Sequence, residues 1–191
     1  MTIGIDKIGF ATSPYVLRLE DLAAARDTDP EKLSKGLLLK EQSVAPITED
    51  IVTLAATAAD DILTDEDKEA IDMVILATES GIDQSKAAAV FVHGLLDIQP
   101  FARSFEMKEA CYAATAALDY AKLHVEKFPQ SKVLVIASDI AKYGIGTPGE
   151  PTQGAGAVAM LISQNPRILS FNDDNVAQDI IQKYGNNLSD I

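Results

Sequence analysis

A chain of 191 residues, 47% hydrophobic and 24% charged, has enough apolar mass to bury the core of one sizeable α/β domain. Its formal net charge of −13 argues against a protein that binds a nucleic-acid backbone through a basic surface stripe. No apolar run is long enough to span a bilayer. A single cysteine excludes an intramolecular disulfide. Together with a start that lacks a signal-peptide pattern, it predicts a cytoplasmic protein.

The first third of the chain predicts one strand followed by helices. The stretch from Ile3 to Val16 is predicted to be a strand that ends in a loop at Ser13 and Pro14. The predicted helices then follow in order: Leu19–Arg26, a second that starts at Pro30, and the Ala-rich Thr48–Leu63. The acidic run 65–69 is interpreted as the solvated start of a further short helix.

The rest of the chain alternates strands and helices. The segment Asp72–Ala77 is apolar enough to be buried on both faces, as in a parallel sheet. The elements predicted after it are helix Ala87–Leu96, strand Ala102–Met107, helix Cys111–Lys127, strand Lys132–Ser138, loop Gly144–Gly156 and strand Ala157–Ile162. This alternation predicts a layered α/β domain. His93 and His124 lie in helical patterns and are interpreted as surface or capping residues, not metal ligands.

Cys111, the one cysteine, is the leading candidate for a functional residue. It is predicted at the first turn of a helix that follows a strand, where unpaired N–H groups and the helix dipole would stabilise a thiolate and an oxyanion. The alternative is a buried structural cysteine, the commoner fate of a lone thiol. The strand–turn–helix placement leaves these two interpretations evenly matched.

Glu79 directly follows the predicted strand that ends at Ala77, in the segment Thr78-Glu79-Ser80. Ligands bind at the carboxyl ends of strands in open parallel sheets, and partial desolvation there would let a carboxylate exchange protons near neutral pH. From these residues alone, a helix cap or a solvated loop acid is the favoured alternative. The Gly-rich segment 149–159 allows close approach of a ligand, but it lacks the pattern of a phosphate loop or a dinucleotide site.

Three segments carry a family resemblance: Glu-Met-Lys-Glu-Ala-Cys-Tyr-Ala-Ala-Thr at 106–115, Ala-Thr-Glu-Ser at 77–80 and Gly-Glu-Pro-Thr-Gln-Gly-Ala-Gly-Ala-Val-Ala-Met at 149–160. Together they resemble the hydroxymethylglutaryl-CoA synthases of the bacterial mevalonate pathway, and the resemblance extends from Ile3 to about Val176. It implies a thiolase-like layered α/β fold with a mixed sheet and helices on both faces. Residues 1–171 would form the N-terminal one of its two halves.

The resemblance implies an acyltransferase that condenses acetyl-CoA with acetoacetyl-CoA in isoprenoid biosynthesis. Cys111 would carry the acetyl group as a thioester, and Glu79 would be the general base that removes a methyl proton from it. Thr152 matches a position that contacts the acyl chain, and Asp29 matches one at the CoA entrance. The resemblance also implies a cytoplasmic homo-oligomer that uses CoA thioesters as substrates and needs no cofactor or metal.

The chain departs from the family toward its end. The family uses a second-half histidine to position the acetoacetyl thioester, whereas the last histidine here is His124. Residues 172–191 are predicted to be an atypical tail with a short helix at Gln182–Asn187, as an internal deletion followed by truncation would produce. We therefore expect impaired condensation.

Two other interpretations stay open at this point. The chain could be an inactive thiolase-like half that serves as a binding or assembly module, since such a half would expose the face that packs on its twin. It could also be a ketoacyl synthase, which pairs its cysteine with two histidines or with His and Asn. The Glu79 segment favours the hydroxymethylglutaryl-CoA synthase over the ketoacyl synthase.

Overall fold

A computed structural model describes residues 2–172 and places one six-stranded sheet at the centre of the molecule. The elements in chain order are β1 Ile3–Thr12, β2 Tyr15–Arg18, α1 Leu19–Ala25, α2 Pro30–Gly36, β3 Glu41–Val44, α3 Ile51–Asp60, α4 Asp65–Ala70, β4 Ile71–Ala77, α5 Ala88–Leu95, β5 Arg103–Met107, α6 Ala113–Lys127, β6 Lys132–Ala141, a short 3-10 helix Glu150–Thr152, β7 Gly154–Gln164 and β8 Leu169–Ser170. Within this range no helix is long and apolar enough to cross a membrane. The tail predicted beyond residue 172, including its helix, lies outside the described residues.

The sheet has mixed strand directions, in the order β5-β4-β6-β7-β1-β8. Strand β4 runs parallel to both β5 and β6, while β7 runs antiparallel to β6 and β1. Strands β4 and β6 lie inside the sheet and are covered on both faces, which explains why their sequences are nearly continuous apolar runs. The predicted mixed sheet is confirmed.

Helices cover the sheet on both faces, as predicted. Helices α3 and α5 pack on one face against side chains such as Leu76, Leu134 and Leu161. Helix α6 packs on the other face through Ala117, Ala121 and Val125. Strand residues therefore alternate between two apolar clusters, and the carboxyl ends of the parallel strands β4, β5 and β6 meet at one edge of the layers.

The opening strand and the loop before β7 differ from the prediction. The chain turns at Ser13, whose Oγ donates to the Val44 carbonyl at 2.6 Å, and β2 then pairs with β3 in a separate two-stranded sheet. Strand β3 was missed because its four residues, Glu-Gln-Ser-Val, carry no apolar pattern of their own and depend on pairing with a distant segment. Strand β7 starts at Gly154, earlier than predicted, because pairing with β6 extends to Ala141.

Two residues predicted at the surface are buried. Asp67 is 3% exposed and contacts Lys132 at 2.6 Å and Lys7. Burial alone would raise the pKa of Asp67, but hydrogen bonds from these two lysines lower it well below its usual range. His124 is also buried, and its Nε2 lies 3.0 Å from Asp72 Oδ1. The helix start predicted at 65–69 is confirmed by α4, but the predicted solvation of Asp67 and the predicted surface or capping role of His124 were wrong. The partners of both residues come from strands that are distant in sequence.

Candidate active site

The predicted reactive residues follow neighbouring parallel strands. In the sheet, Ala77 at the end of β4 pairs with Met107 of β5 and with Ala137 of β6. Glu79 comes shortly after the end of β4, and Cys111 comes shortly after the end of β5. Because parallel strands end at the same edge, their connections bring the thiol and the carboxylate together.

Cys111 lies just before helix α6 and not inside it. The helix begins at Ala113, and Tyr112 is its N-cap. The bend is made at Ala110, whose φ of 45° is in the left-handed region that favours glycine, so this residue is under local backbone strain. The amides of Tyr112 and Ala113 donate to the Glu109 and Ala110 carbonyls, which means that these two N–H groups are not the free oxyanion donors that were predicted.

The thiol and the carboxylate are in contact. Cys111 Sγ donates toward Glu79 Oε1 over 3.7 Å, within the reach of a sulfur hydrogen bond. Both side chains are exposed, so the partial desolvation predicted for Glu79 is not found. A buried structural cysteine is likewise excluded, because the thiol is free and open to the cleft. The geometry allows a proton to pass from the thiol to the carboxylate.

Asp139 holds the segment that carries Glu79. Its Oδ1 accepts hydrogen bonds from Thr78 Oγ1 at 3.1 Å, from the Glu79 N–H at 2.8 Å, and from the Ser80 N–H and Oγ at 3.0 and 2.8 Å. This residue was not predicted from the sequence. A signal was present, because Asp139 stands at the same distance beyond Ala137 as Glu79 stands beyond Ala77, and these two alanines are paired in register.

The thiol and the carboxylate lie in a cleft of about 620 Å³. Its apolar wall includes Ile51 and Ile82, and its polar wall includes Asp139, Lys142 and Tyr143. A cleft of this size accommodates a small acyl thioester, with the thiol at its surface for attack on a carbonyl carbon. The arrangement therefore supports acyl transfer to Cys111 followed by proton transfer at Glu79.

The two predicted substrate-binding residues lie elsewhere. Thr152 is exposed in the 3-10 helix and donates through Oγ1 to the Gly149 carbonyl at 2.8 Å. Asp29 is the N-cap of α2 and accepts the Glu31 N–H at 2.9 Å. Neither is among the described residues that line the cleft around Cys111. Their roles in binding stay predictions.

His93 has the capping role that the sequence indicated. Its Nε2 lies 3.0 and 3.1 Å from the Ile98 and Gln99 carbonyls, which identifies this nitrogen as the donor, and its Nδ1 lies 3.0 Å from Ser104 Oγ. The ring thus satisfies the carbonyls that follow α5. Across residues 2–172 no three His, Cys, Asp or Glu side chains are grouped so that they could hold a metal ion.

Comparison with known proteins gives a consistent set of similarities. Residues 2–167 match the family described as hydroxymethylglutaryl-coenzyme A synthase, N terminal. A hydroxymethylglutaryl-CoA synthase from Enterococcus faecalis is 62% identical over 182 residues, which cover 94% of this chain and 48% of the relative. One from Haloferax volcanii is 38% identical over 184 residues, which cover 91% of this chain and 41% of the relative.

Solved structures agree with these relatives. A crystal structure of an HMG-CoA synthase complexed with CoA matches with a TM-score of 0.90 and 73% identity, over 91% of this chain and 45% of that chain. The expected thiolase-like α/β arrangement is thereby confirmed. The chain spans about half the length of the curated relatives it matches.

Proposed function

The chain belongs to the hydroxymethylglutaryl-CoA synthase family, and we propose that it carries the groups which load an acetyl unit from acetyl-CoA and activate it as a carbon nucleophile. The observation that supports this most directly is the 3.7 Å contact between Cys111 Sγ and Glu79 Oε1 in one cleft. A thiol nucleophile needs an adjacent base, and a later carbanion step needs a base near the same sulfur. One carboxylate meets both needs.

In the first step Cys111 becomes acetylated. Glu79 takes the thiol proton while the sulfur attacks the acetyl carbonyl carbon, which forms a tetrahedral intermediate. The bond from that carbon to the CoA sulfur then breaks, and the CoA thiolate takes the proton from Glu79. The products are the acetyl thioester of Cys111, free CoA and an ionised Glu79, ready for the next proton transfer.

In the second step Glu79 removes a proton from the acetyl methyl group. The thioester carbonyl takes up the electron pair as an enolate, whose carbon attacks the ketone of acetoacetyl-CoA. The new alkoxide takes up the proton that Glu79 removed, which leaves Glu79 ionised again. Water then cleaves the thioester: its hydroxyl goes to the acyl carbon and its proton to the sulfur, which releases hydroxymethylglutaryl-CoA and regenerates the Cys111 thiol. The sequence of steps uses only side chains, water and CoA thioesters, with no further cofactor.

We assign the binding of acetoacetyl-CoA to the other half of the full-length relatives. Near the cleft, β1 and β7 expose apolar side chains on the face that α6 leaves bare: Phe10 is 73% exposed and Ile8 is 48% exposed. A hollow of about 490 Å³ lined by Phe10, Val158 and Asp139 continues from this face toward the cleft. A bare apolar face beside the reactive groups fits a surface on which the other half packs. This chain alone should therefore acetylate Cys111 but not condense.

The same proposal extends to the cellular compartment and the oligomeric state of the protein. A functional thiol that must stay reduced fits the cytoplasm. When the other half does not cover it, the bare apolar face around Phe10 favours self-association, so a homo-oligomer of this chain is part of the proposal.

Labelled acetyl-CoA tests the proposal on the purified 191-residue chain. The mass of the intact chain should show one added acetyl group, and the mass of its peptides should place this group on Cys111. The Cys111→Ser chain should gain none. In Glu79→Gln, acetylation should slow, and the loaded acetyl group should no longer exchange its methyl protons with D2O. Complete failure to acetylate would contradict the proposal and favour an inactive binding module. Condensation by this chain alone would contradict the role given to the other half.

A further inference from the structure

A two-point ion pair joins distant parts of the chain at Arg26 and Glu150. Arg26 Nε and Nη2 lie 2.8 and 2.6 Å from the two Glu150 carboxylate oxygens. The Glu150 side chain is 8% exposed, and its Oε2 also accepts the Gly146 N–H at 2.8 Å. The hydrogen bonds from Arg26, and then the one from Gly146, lower the pKa of Glu150 to about 2, so the carboxylate is charged at neutral pH.

Glu150 belongs to a loop that forms part of the cleft. The segment 142–153 connects β6 to β7, and Tyr143 at its start lines the cleft beside Cys111. Gln153 Oε1 accepts the Tyr143 N–H at 2.8 Å, which closes the two ends of the loop on each other. Gly149 lies so close to Tyr143 that a Cβ at this glycine would be 2.8 Å from the Tyr143 Cβ. The position of Glu150 therefore determines where Tyr143 lies.

Arg26 belongs to a firmly anchored element. It is the C-cap of α1, and its N–H donates to the carbonyl of Leu22, a core residue, at 3.0 Å. Asp27 then turns the chain with a left-handed φ of 48°, so that Asp29 caps α2. The ion pair thus connects the segment of Asp29, predicted at the CoA entrance, to the loop that carries Thr152.

The ion pair selects a loop position more than it adds stability. The loop has little apolar burial, as Ile145 at 84% exposure shows. Glu150 is buried while the Arg26 side chain is 36% exposed. Such a pair contributes little net free energy, but an arrangement that leaves the buried Glu150 carboxylate unpaired is strongly penalised. Glu79, in contrast, is held by Asp139 at the strand ends, so the geometry of the thiol and its base does not depend on the pair.

We propose that Arg26 and Glu150 are positioning residues that fix the 142–153 loop as one wall of the acyl cleft, so that this pair governs affinity for the CoA thioester and not the chemistry at Cys111. The inference rests on the proposed function for the identity of the ligand. It predicts a split in which binding weakens and the rate at saturation is retained.

Charge reversal in the 191-residue chain tests the inference, with CoA itself as the probe in a calorimetric titration. Arg26→Glu and Glu150→Arg should each weaken CoA binding about tenfold, and the double swap should recover most of the loss. The matched control is Arg167→Glu, which breaks another two-point pair, with Asp6, whose bonds are 2.8 and 2.8 Å and which lies away from the cleft. It should leave CoA affinity unchanged.

The rate of Cys111 acetylation at saturating acetyl-CoA gives the second measurement. It should stay within about twofold of the original in each reversal, because the reacting groups are held elsewhere. If a reversal fails to fold, two milder variants replace it: Glu150→Gln keeps the shape but not the charge, and Arg26→Lys keeps the charge but not the two-point geometry. Both should show the same split at a smaller size.

Several results would overturn the inference. Unchanged CoA affinity in the single reversals would do so, as would an original chain that binds no CoA, or a loss that the double swap does not recover. The proposed function is judged separately. If CoA affinity follows the ion pair while no variant acetylates Cys111, the positioning role stands and the acyl-transfer proposal fails.

Discussion

Removal of the Asp139 carboxylate should displace Glu79 and slow the removal of the acetyl methyl proton. In Asp139→Ala, the hydrogen-bond donors of residues 78–80 lose their shared acceptor. In Asp139→Asn, the oxygen is kept but its charge is lost. The three chains therefore form a graded series in which the reacting groups themselves are unaltered.

The size of the effect follows from the hydrogen bonds. Four of them converge on Asp139 Oδ1 at 2.8 to 3.1 Å. Because water can reach this segment, each contributes about 0.5–1 kcal/mol, and together they restrain it by about 2–4 kcal/mol. A displacement of about 1 Å at a reacting group costs about a hundredfold in rate, which is the loss expected for Asp139→Ala. In Asp139→Asn the rate of methyl-proton removal should fall about tenfold, since hydrogen bonds to a neutral oxygen are about half as strong as those to a carboxylate.

Deuterium uptake is the suitable assay. Cys111 is acetylated with excess acetyl thioester in D2O, and the mass of the acetylated peptide is followed with time. Ser138→Ala is the matched control, because this neighbour on β6 donates to the Ile51 carbonyl at 2.7 Å and makes no bond to the Glu79 segment. The reasoning is refuted if Asp139→Ala exchanges within about twofold of the original, or if Ser138→Ala slows exchange equally.

Three further predictions concern stability and association. Leu38 is 86% exposed with a left-handed φ of 57°, a conformation that costs about 1–2 kcal/mol, so Leu38→Gly should raise the free energy of unfolding by about 0.5 kcal/mol in urea titrations. Leu37→Gly, at φ −101°, should lower the free energy of unfolding by about 1 kcal/mol. If both substitutions changed this free energy in the same direction, backbone strain at Leu38 would be contradicted. The lowered pKa of Asp67 predicts that stability holds down to about pH 4 and then falls as the unfolded chain binds the proton first; Asp67→Asn should flatten this decline. Phe10→Asp should reduce self-association in sedimentation without altering Cys111 acetylation, and unchanged association would exclude the bare face as its cause.

Much of the fold could be predicted because it depends on local patterns. The runs that form β4 and β6 are apolar on both faces, and only a strand inside a covered sheet uses such a run. Helix α3 was predicted from its Ala-rich apolar pattern, although it begins at Ile51, after the Asp50 cap, and not at Thr48. In these segments the neighbouring residues carry enough information to specify the structure.

Most of the errors arise from long-range pairing, and one arises from local backbone geometry. Asp67 looked like a solvated helix start because nothing nearby in the sequence indicates Lys7 or Lys132 as its partners. For the site, the order of strand, turn and helix around Cys111 could be predicted, but not the bend at Ala110 that places the thiol before the helix. Asp139 was overlooked because its role depends on the register between β4 and β6.

Glu79 and Cys111 both belong to one contiguous unit, β4–α5–β5 with its flanking turns. The thiol and the carboxylate thus come from a short stretch of chain, and Asp139 of β6 holds the Glu79 segment in place, while the loop 142–153 and the bare face come from other stretches. Such a division lets the surroundings change while the two side chains stay in contact. Recombination or insertion that spares this unit and β6 would alter the surfaces around the proposed nucleophile and base without rebuilding them.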